Sequence, residues 1–369
     1  MSPTLAPEAT AHRAELQSIL DDMVAAGMTG MTLRIRDEHG DWTAAAGRAA
    51  LDGDALPPID GSVRIGSNTK TFVATIVLAL VAEGRIELDA PVSRMLPEFG
   101  IDERITVRML LQHTSGVFNH TGEYTVDGPE FAVPSPPMGK VWVDSLTTSH
   151  TAAELARVSL SKPLRFVPGT AWSYSNTNYV ILRLLVEKIT GHPLADELRR
   201  VVSGPLGLTR TVQPTDEPDI AEPYAHAYYR YDDDGVERTI DVSRHDPSWV
   251  SSGGDMISTT ADLQTFITAL VSGGLVPAAQ FAEMTRAHET PIPETGYGLG
   301  LFVQDLGEHG TVFSHNGGMA GHAALMYATA GARRVLTASI NYVDDPAMTI
   351  APVFQQGQQR LFDAMFRRP

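Results

Sequence analysis

Segments with a strand pattern lie near both ends of this chain, and helical patterns dominate between them. That split constrains the fold more than any other feature. Near the start, Met31 to Arg36 and Trp42 to Ala46 read as two strands around Asp37-Glu38-His39-Gly40, which predicts a hairpin. Val63 to Ile65 reads as a further short strand. Near the end, Gly298 to Val303, Thr311 to Ser314, Ala323 to Ala328 and Arg334 to Asn341 predict consecutive strands. Between them, Thr151 to Leu160 and Asn178 to Ile189 have helical periodicity, with irregular loops such as Pro134-Ser135-Pro136-Pro137. Tyr228 to Arg238 predicts a hairpin turning at Asp234-Gly235. Helices are expected over Ala9 to Ala26, over Thr260 to Val271 before Gly273-Gly274, and from Pro346 to about Phe366. The expected organisation is one sheet domain, 1–88 with 251–369, split by a mainly helical insertion, 89–250. The cleft between the two parts is the expected site.

The length of 369 residues suits two subdomains around one cleft, and 43% hydrophobic residues supply large cores. A formal net charge of −16 with no basic block excludes a nucleic-acid partner. With no cysteine there is no disulfide framework, thiolate zinc site or cysteine nucleophile. No basic segment precedes an apolar one at the N-terminus, and Val73 to Ala82 is too short to span a bilayer. The expectation is a cytoplasmic protein with no membrane partner.

Three short stretches carry candidate chemistry. In Ile65-Gly66-Ser67-Asn68-Thr69-Lys70-Thr71-Phe72 the strand pattern stops at Gly66, and a helical pattern starts through Phe72, Ile76 and Leu80. Ser67 therefore sits at a helix start, where free N–H groups and the helix dipole favour negative charge. Lys70 lies one turn on along the same face, and burial would lower its pKa until it accepts a proton. Ser67 also fits the role of an N-cap. Ser159-Leu160-Ser161-Lys162 has the same spacing, but it closes a helix before Pro163. The second stretch, Trp172-Ser173-Tyr174-Ser175-Asn176, opens the Asn178 helix. Tyr174 and Asn176 there either point into the cleft, with the phenol able to ionise beside cations, or pack and cap. The third, Ser314-His315-Asn316-Gly317-Gly318, ends a predicted strand, with glycines that allow close backbone approach. His315 there either supplies a positive charge or hydrogen bond, or is incidental to a Gly-rich hairpin.

These motifs, in this order, resemble the serine DD-carboxypeptidases and class C β-lactamases, penicillin-recognising enzymes with esterase and transacylase relatives. Leu111-Gln112-His113-Thr114-Ser115-Gly116, Pro168-Gly169 and Tyr297-Gly298-Leu299-Gly300 extend the resemblance over nearly the whole chain. It implies a β-lactamase/transpeptidase-like α/β fold of the α+β type: an antiparallel sheet flanked by helices, plus a helical domain. It implies Ser67 as nucleophile, Lys70 and Tyr174 sharing the acid and base roles, and His315 supporting the proton relay. Asn176 would bind the substrate's acyl side chain, Trp249 would line the cleft, and the Ser67 and Gly318 N–H groups would form the oxyanion hole. No cofactor or metal is implied.

Two departures bear on the substrate. The similar carboxypeptidases carry a Thr after the third-motif His and an Arg on the Tyr-Gly-Leu-Gly strand, which together hold a free carboxylate. Here Asn316 and Phe302 stand in those places, and a bidentate clamp is lost. The expected partner is therefore a small ester, amide or peptide, handled by hydrolysis or acyl transfer. The alternatives are a D-Ala-D-Ala carboxypeptidase or β-lactamase, or a binding protein that keeps the fold. His322 is a substitute cation if free acids are used after all. With His113 and His120 it is otherwise expected to be structural, and Asp232-Asp233-Asp234 to be a solvated turn.

Overall fold

The computed structural model describes residues 7–125, 128–130, 138–214 and 216–368. The Pro134–Pro137 loop and most of the Pro-rich start lie outside them. The main sheet has eight strands in the order Gly40–Gly47, Gly30–Asp37, Val335–Asn341, His322–Thr329, Thr311–Met319, Phe302–Asp305, Thr295–Tyr297 and His288–Glu289. Every neighbouring pair is antiparallel. The first hairpin turns where expected, with Asp37 opposite Gly40. It joins the C-terminal strands through Gly30 opposite Asn341, so segments from opposite ends of the sequence share one sheet.

Both faces of the sheet are buried. On the His322–Thr329 strand, Leu325 and Tyr327 enter one core, while Ala324, Met326 and Ala328 enter the other. The first core also takes Leu16 and Leu20 from the Pro7–Ala25 helix and Leu361 and Phe366 from the Ala351–Phe366 helix. The second contains the Thr69–Ala82 and Thr260–Val271 helices, where Phe72 stacks on Phe266 at 3.7 Å between ring centres. Thr69–Ala82 is apolar on nearly every side and buried along most of its length, as a central helix must be. Each fully buried Leu, Ile or Phe contributes about 1.5–3 kcal/mol.

Three boundaries differ from expectation. Gly298–Val303 is not one strand: residues 298–301 form a tight turn, with the Gly298 N–H donating to Leu301 O at 2.8 Å and Gly300 at φ +82°. The strand resumes at Phe302. The Thr311 strand does not end at Ser314 but runs through His315 and both glycines to Met319. The last helix starts at Ala351, not Pro346. Asp345 captures the N–H groups of Ala347 and Thr349 and holds that segment in a turn.

The middle of the chain supplies Ala152–Leu160, opened by a Thr151–Glu154 capping box, and Asn176–Thr190, ended by Gly191 in the left-handed conformation. The predicted hairpin forms from Tyr228–Asp233 and Val236–Asp241, and its first strand pairs in parallel with Val343–Asp344. Its turn is a solvated one: the Gly235 N–H donates to Asp232, and Asp233 pairs with Lys140 and Arg238. Among the described residues no helix is long and apolar enough to cross a membrane.

Candidate active site

Ser67 lies in a single 3₁₀ turn, Gly66–Asn68, that leads into the Thr69–Ala82 helix. The turn is pinned to the sheet by the Asn68 amide, which donates to Ile65 O at 2.8 Å and Ala324 O at 3.0 Å. Ser67 caps nothing: the helix cap is Asn68, and its side chain makes no capping bond. From the other side, the Thr311–Met319 strand presses against this turn. A Cβ on Gly317 would fall 2.0 Å from Ile65 O and 2.4 Å from Ser67 N, so only glycine fits there. The Gly318 N lies just as near the turn, 2.6 Å from where a Gly66 Cβ would be.

Lys70 is fully buried, and its Nζ is 3.0 Å from Ser67 Oγ. The same nitrogen donates to Asn176 Oδ1 and to Gly253 O, each at 2.6 Å. Burial drives its pKa well below the ordinary lysine value, opposed only by the negative charge of Asp255. Once neutral, the amine keeps two N–H bonds, to Asn176 and Gly253, and its lone pair is left facing Ser67. Asn176 is itself fixed. Its Nδ2 donates to Thr121 Oγ1 at 2.7 Å, and its backbone N–H donates to Asn119 Oδ1 at 2.9 Å. The amide expected to meet the substrate thus orients the lysine.

The Tyr174 hydroxyl is buried and makes no hydrogen bond of normal geometry. Burial pushes its pKa up, with Ser67 beside it as the one group favouring ionisation. Of the alternatives expected for Tyr174, burial favours the protonated phenol over the phenolate. Lys70 Nζ sits 4.6 Å above its ring, and His113 packs against it at 4.3 Å between ring centres. His113 Nδ1 accepts from the Ser175 N–H at 3.2 Å and from Asn178 Nδ2 at 3.0 Å, locking the start of the Tyr174 helix.

His315 is buried as well. Its Nδ1–H donates to Asn316 O at 2.8 Å, which leaves Nε2 to accept from the Tyr297 hydroxyl at 3.2 Å. Burial, then the charge of Lys70, lowers its pKa to about 3. Of the two roles expected for His315, a positive charge or a hydrogen bond, burial disfavours the charge. His322 is no substitute cation either: it is buried, bonded to Ala225 O at 2.8 Å, and lowered by burial to about 4.

A cavity of about 430 Å³ opens beside these groups, lined by Ser67, Tyr174, Phe302, His315, Asn316, Gly317 and Gly318. Its lining also includes Tyr342, Asp344, Met348, Ile350 and Phe354, which have no signal in the sequence motifs. Asn176 and Trp249 do not line it. Trp249 is half-buried, and its carbonyl accepts from His120 Nε2 at 3.1 Å. Larger surface depressions around Arg210 and around Arg333 contain neither a candidate nucleophile nor a buried lysine. The second Ser-x-x-Lys match is scaffolding: buried Ser159 donates to Phe118 O, and Lys162 pairs with Glu130 at 2.7 Å.

The beta-lactamase family model matches residues 16–354. The chain belongs to the beta-lactamase family. Among this family's solved structures, a D-stereospecific amidohydrolase from Streptomyces sp. superimposes with a TM-score of 0.82 at 34% identity, over 96% of this chain and 98% of that one. The D-amino acid amidase of Ochrobactrum anthropi SV3 gives 0.79 at 26%, with the same coverage of each. Esterase EstB of Burkholderia gladioli is 33% identical over 59% of this chain and 56% of its own length. Penicillin-binding protein 4* of Bacillus subtilis is 28% identical over 76% and 61%. The chain thus spans little more than half the length of these curated relatives.

Proposed function

We propose that this chain is a serine acyl-enzyme hydrolase of small amides and esters. The observation that carries the reading is the buried Lys70, 3.0 Å from Ser67 Oγ and held by Asn176 and Gly253. Ser67 Oγ attacks the substrate carbonyl as its proton passes to the neutral lysine. Developing negative charge on the carbonyl oxygen is met by the Ser67 and Gly318 N–H groups, and one such donor is worth about 3 kcal/mol. Tyr174, kept protonated by burial, donates to the leaving nitrogen or oxygen. Water, deprotonated by the same groups, then releases the acid. An amidohydrolase, an amidase and an esterase among the similar proteins support amide and ester substrates. The cavity lining contains no Lys or Arg, which disfavours a D-Ala-D-Ala carboxypeptidase that grips a free carboxylate. The apolar wall of Phe302, Met348, Ile350 and Phe354 favours a second outcome, in which a bound amine or alcohol takes the acyl group instead of water.

The test is intact-mass analysis after exposure to an activated ester. Wild type should gain one acyl group, and Ser67→Ala should gain none while keeping a wild-type thermal transition. Equal labelling of the Ala variant would place the nucleophile elsewhere.

A further inference from the structure

The cavity that Ser67 lines carries one charged side chain among the described residues, Asp344, and its lining there contains no Lys or Arg. Asp344 closes the short Val343–Asp344 strand and is half-buried. The only hydrogen bond to its side chain among the described residues is from the Asp345 N–H to Oδ1 at 2.9 Å, and it has no ion-pair partner there. The nearby cation is already committed, since Arg230 pairs with Asp345 at 2.9 Å. This carboxylate shares the cavity lining with Tyr342, Met348 and Phe354, and burial pushes its pKa up to about 6 against the opposing Asp345 N–H bond. At neutral pH it is ionised and short of partners. An apolar wall also strengthens any charge pair formed inside it. His315 and His322 are neutral and cannot satisfy it.

Resting on the serine hydrolase reading, we propose that Asp344 is a specificity-determining residue that receives the free ammonium group of the substrate. The substrate class is then amino-acid amides and esters with an unblocked amine. The same charge repels substrates that present a free carboxylate to that wall.

Phenylalanine amide and its des-amino analogue, 3-phenylpropionamide, differ only in the amine. We would measure the ratio of their kcat/KM values in wild type and in Asp344→Asn, a substitution that can keep the Asp345 N–H bond. The ratio should fall tenfold or more in the variant, mainly through KM. An unchanged ratio alongside measurable turnover overturns the assignment of Asp344 and leaves the hydrolase reading intact. Calorimetric binding in a Ser67→Ala background provides a second readout that needs no catalysis. Adding Asp344→Asn should weaken phenylalanine amide at least tenfold and spare 3-phenylpropionamide. Equal weakening of both ligands would make Asp344 merely structural and sink the proposal. If neither amide is turned over but binding still separates them, the Asp344 assignment holds and the amide hydrolase reading fails.

Discussion

Lys70 concentrates the cost of this site in one residue. Burying an amine removes its hydration and lowers its pKa, which favours the unprotonated form. The unfolded chain binds a proton at Lys70 up to the ordinary value of 10.5, and the folded chain releases it at lower pH. Between those two values the unfolded state holds more protons, so this residue makes stability rise with pH. Lys70→Met removes the titration. The stability of wild type relative to Lys70→Met should therefore climb as pH rises toward 10.5 in parallel denaturant titrations, whatever the packing cost of the methionine. A pH-independent gap would mean that Lys70 stays charged in the fold. His315 follows the same rule: burial lowers the pKa of a second basic group in the site.

At the scale of elements, the site depends on how closely the Thr311–Met319 strand approaches the Gly66–Asn68 turn. The two adjacent glycines of that strand have different duties. A methyl on Gly317 meets backbone atoms at 2.0 and 2.4 Å, whereas one on Gly318 finds nothing nearer than His322 O and the Tyr342 hydroxyl, both at 3.7 Å. Backbone cannot give way as a side chain can. Gly317→Ala should cost about 2 kcal/mol or more, and Gly318→Ala under about 1 kcal/mol, read from urea midpoints at constant m-value. Matching midpoints for the two variants would mean that strand and turn stand further apart in solution.

At the scale of the whole molecule, the cavity collects groups from five distant parts of the chain: Ser67, Tyr174, Phe302 with His315, Tyr342 and Phe354. Its lining combines the polar Ser67, Tyr174, His315 and Asn316 with the apolar Phe302, Met348, Ile350 and Phe354 and the charged Asp344. Hydrolysis and transfer share the acylation step and differ in what next reaches the acyl carbon. An apolar wall that binds an acceptor raises its effective concentration against water. With one acyl ester as donor, rising concentrations of an arylalkylamine should divert product from acid to amide, with saturation in the amine. If the acid yield stays constant across the series, the enzyme is a hydrolase only for that acceptor class.

Much of this was legible in the residues themselves. Periodicity located the first hairpin, the Thr260–Val271 helix and the strands on either side of Ala330, because burial on a sheet or helix face forces apolar residues to recur at that spacing. The order of Ser67, Lys70, Tyr174 and His315 pointed to one acyl-transfer chemistry, and spacing alone put Ser67 and Lys70 on one helical face. What stayed hidden depends on contacts between distant segments. Local pattern does not report that a strand runs on through two glycines, since the reason is the turn at Ser67 pressing on it. Nor does it reveal that Asn176 Oδ1 accepts from the Lys70 amine. Protonation was out of reach for the same reason. Whether Lys70, Tyr174 and His315 are charged is set by desolvation and neighbours, and those exist only once the sheet has brought residues 67, 174 and 315 together.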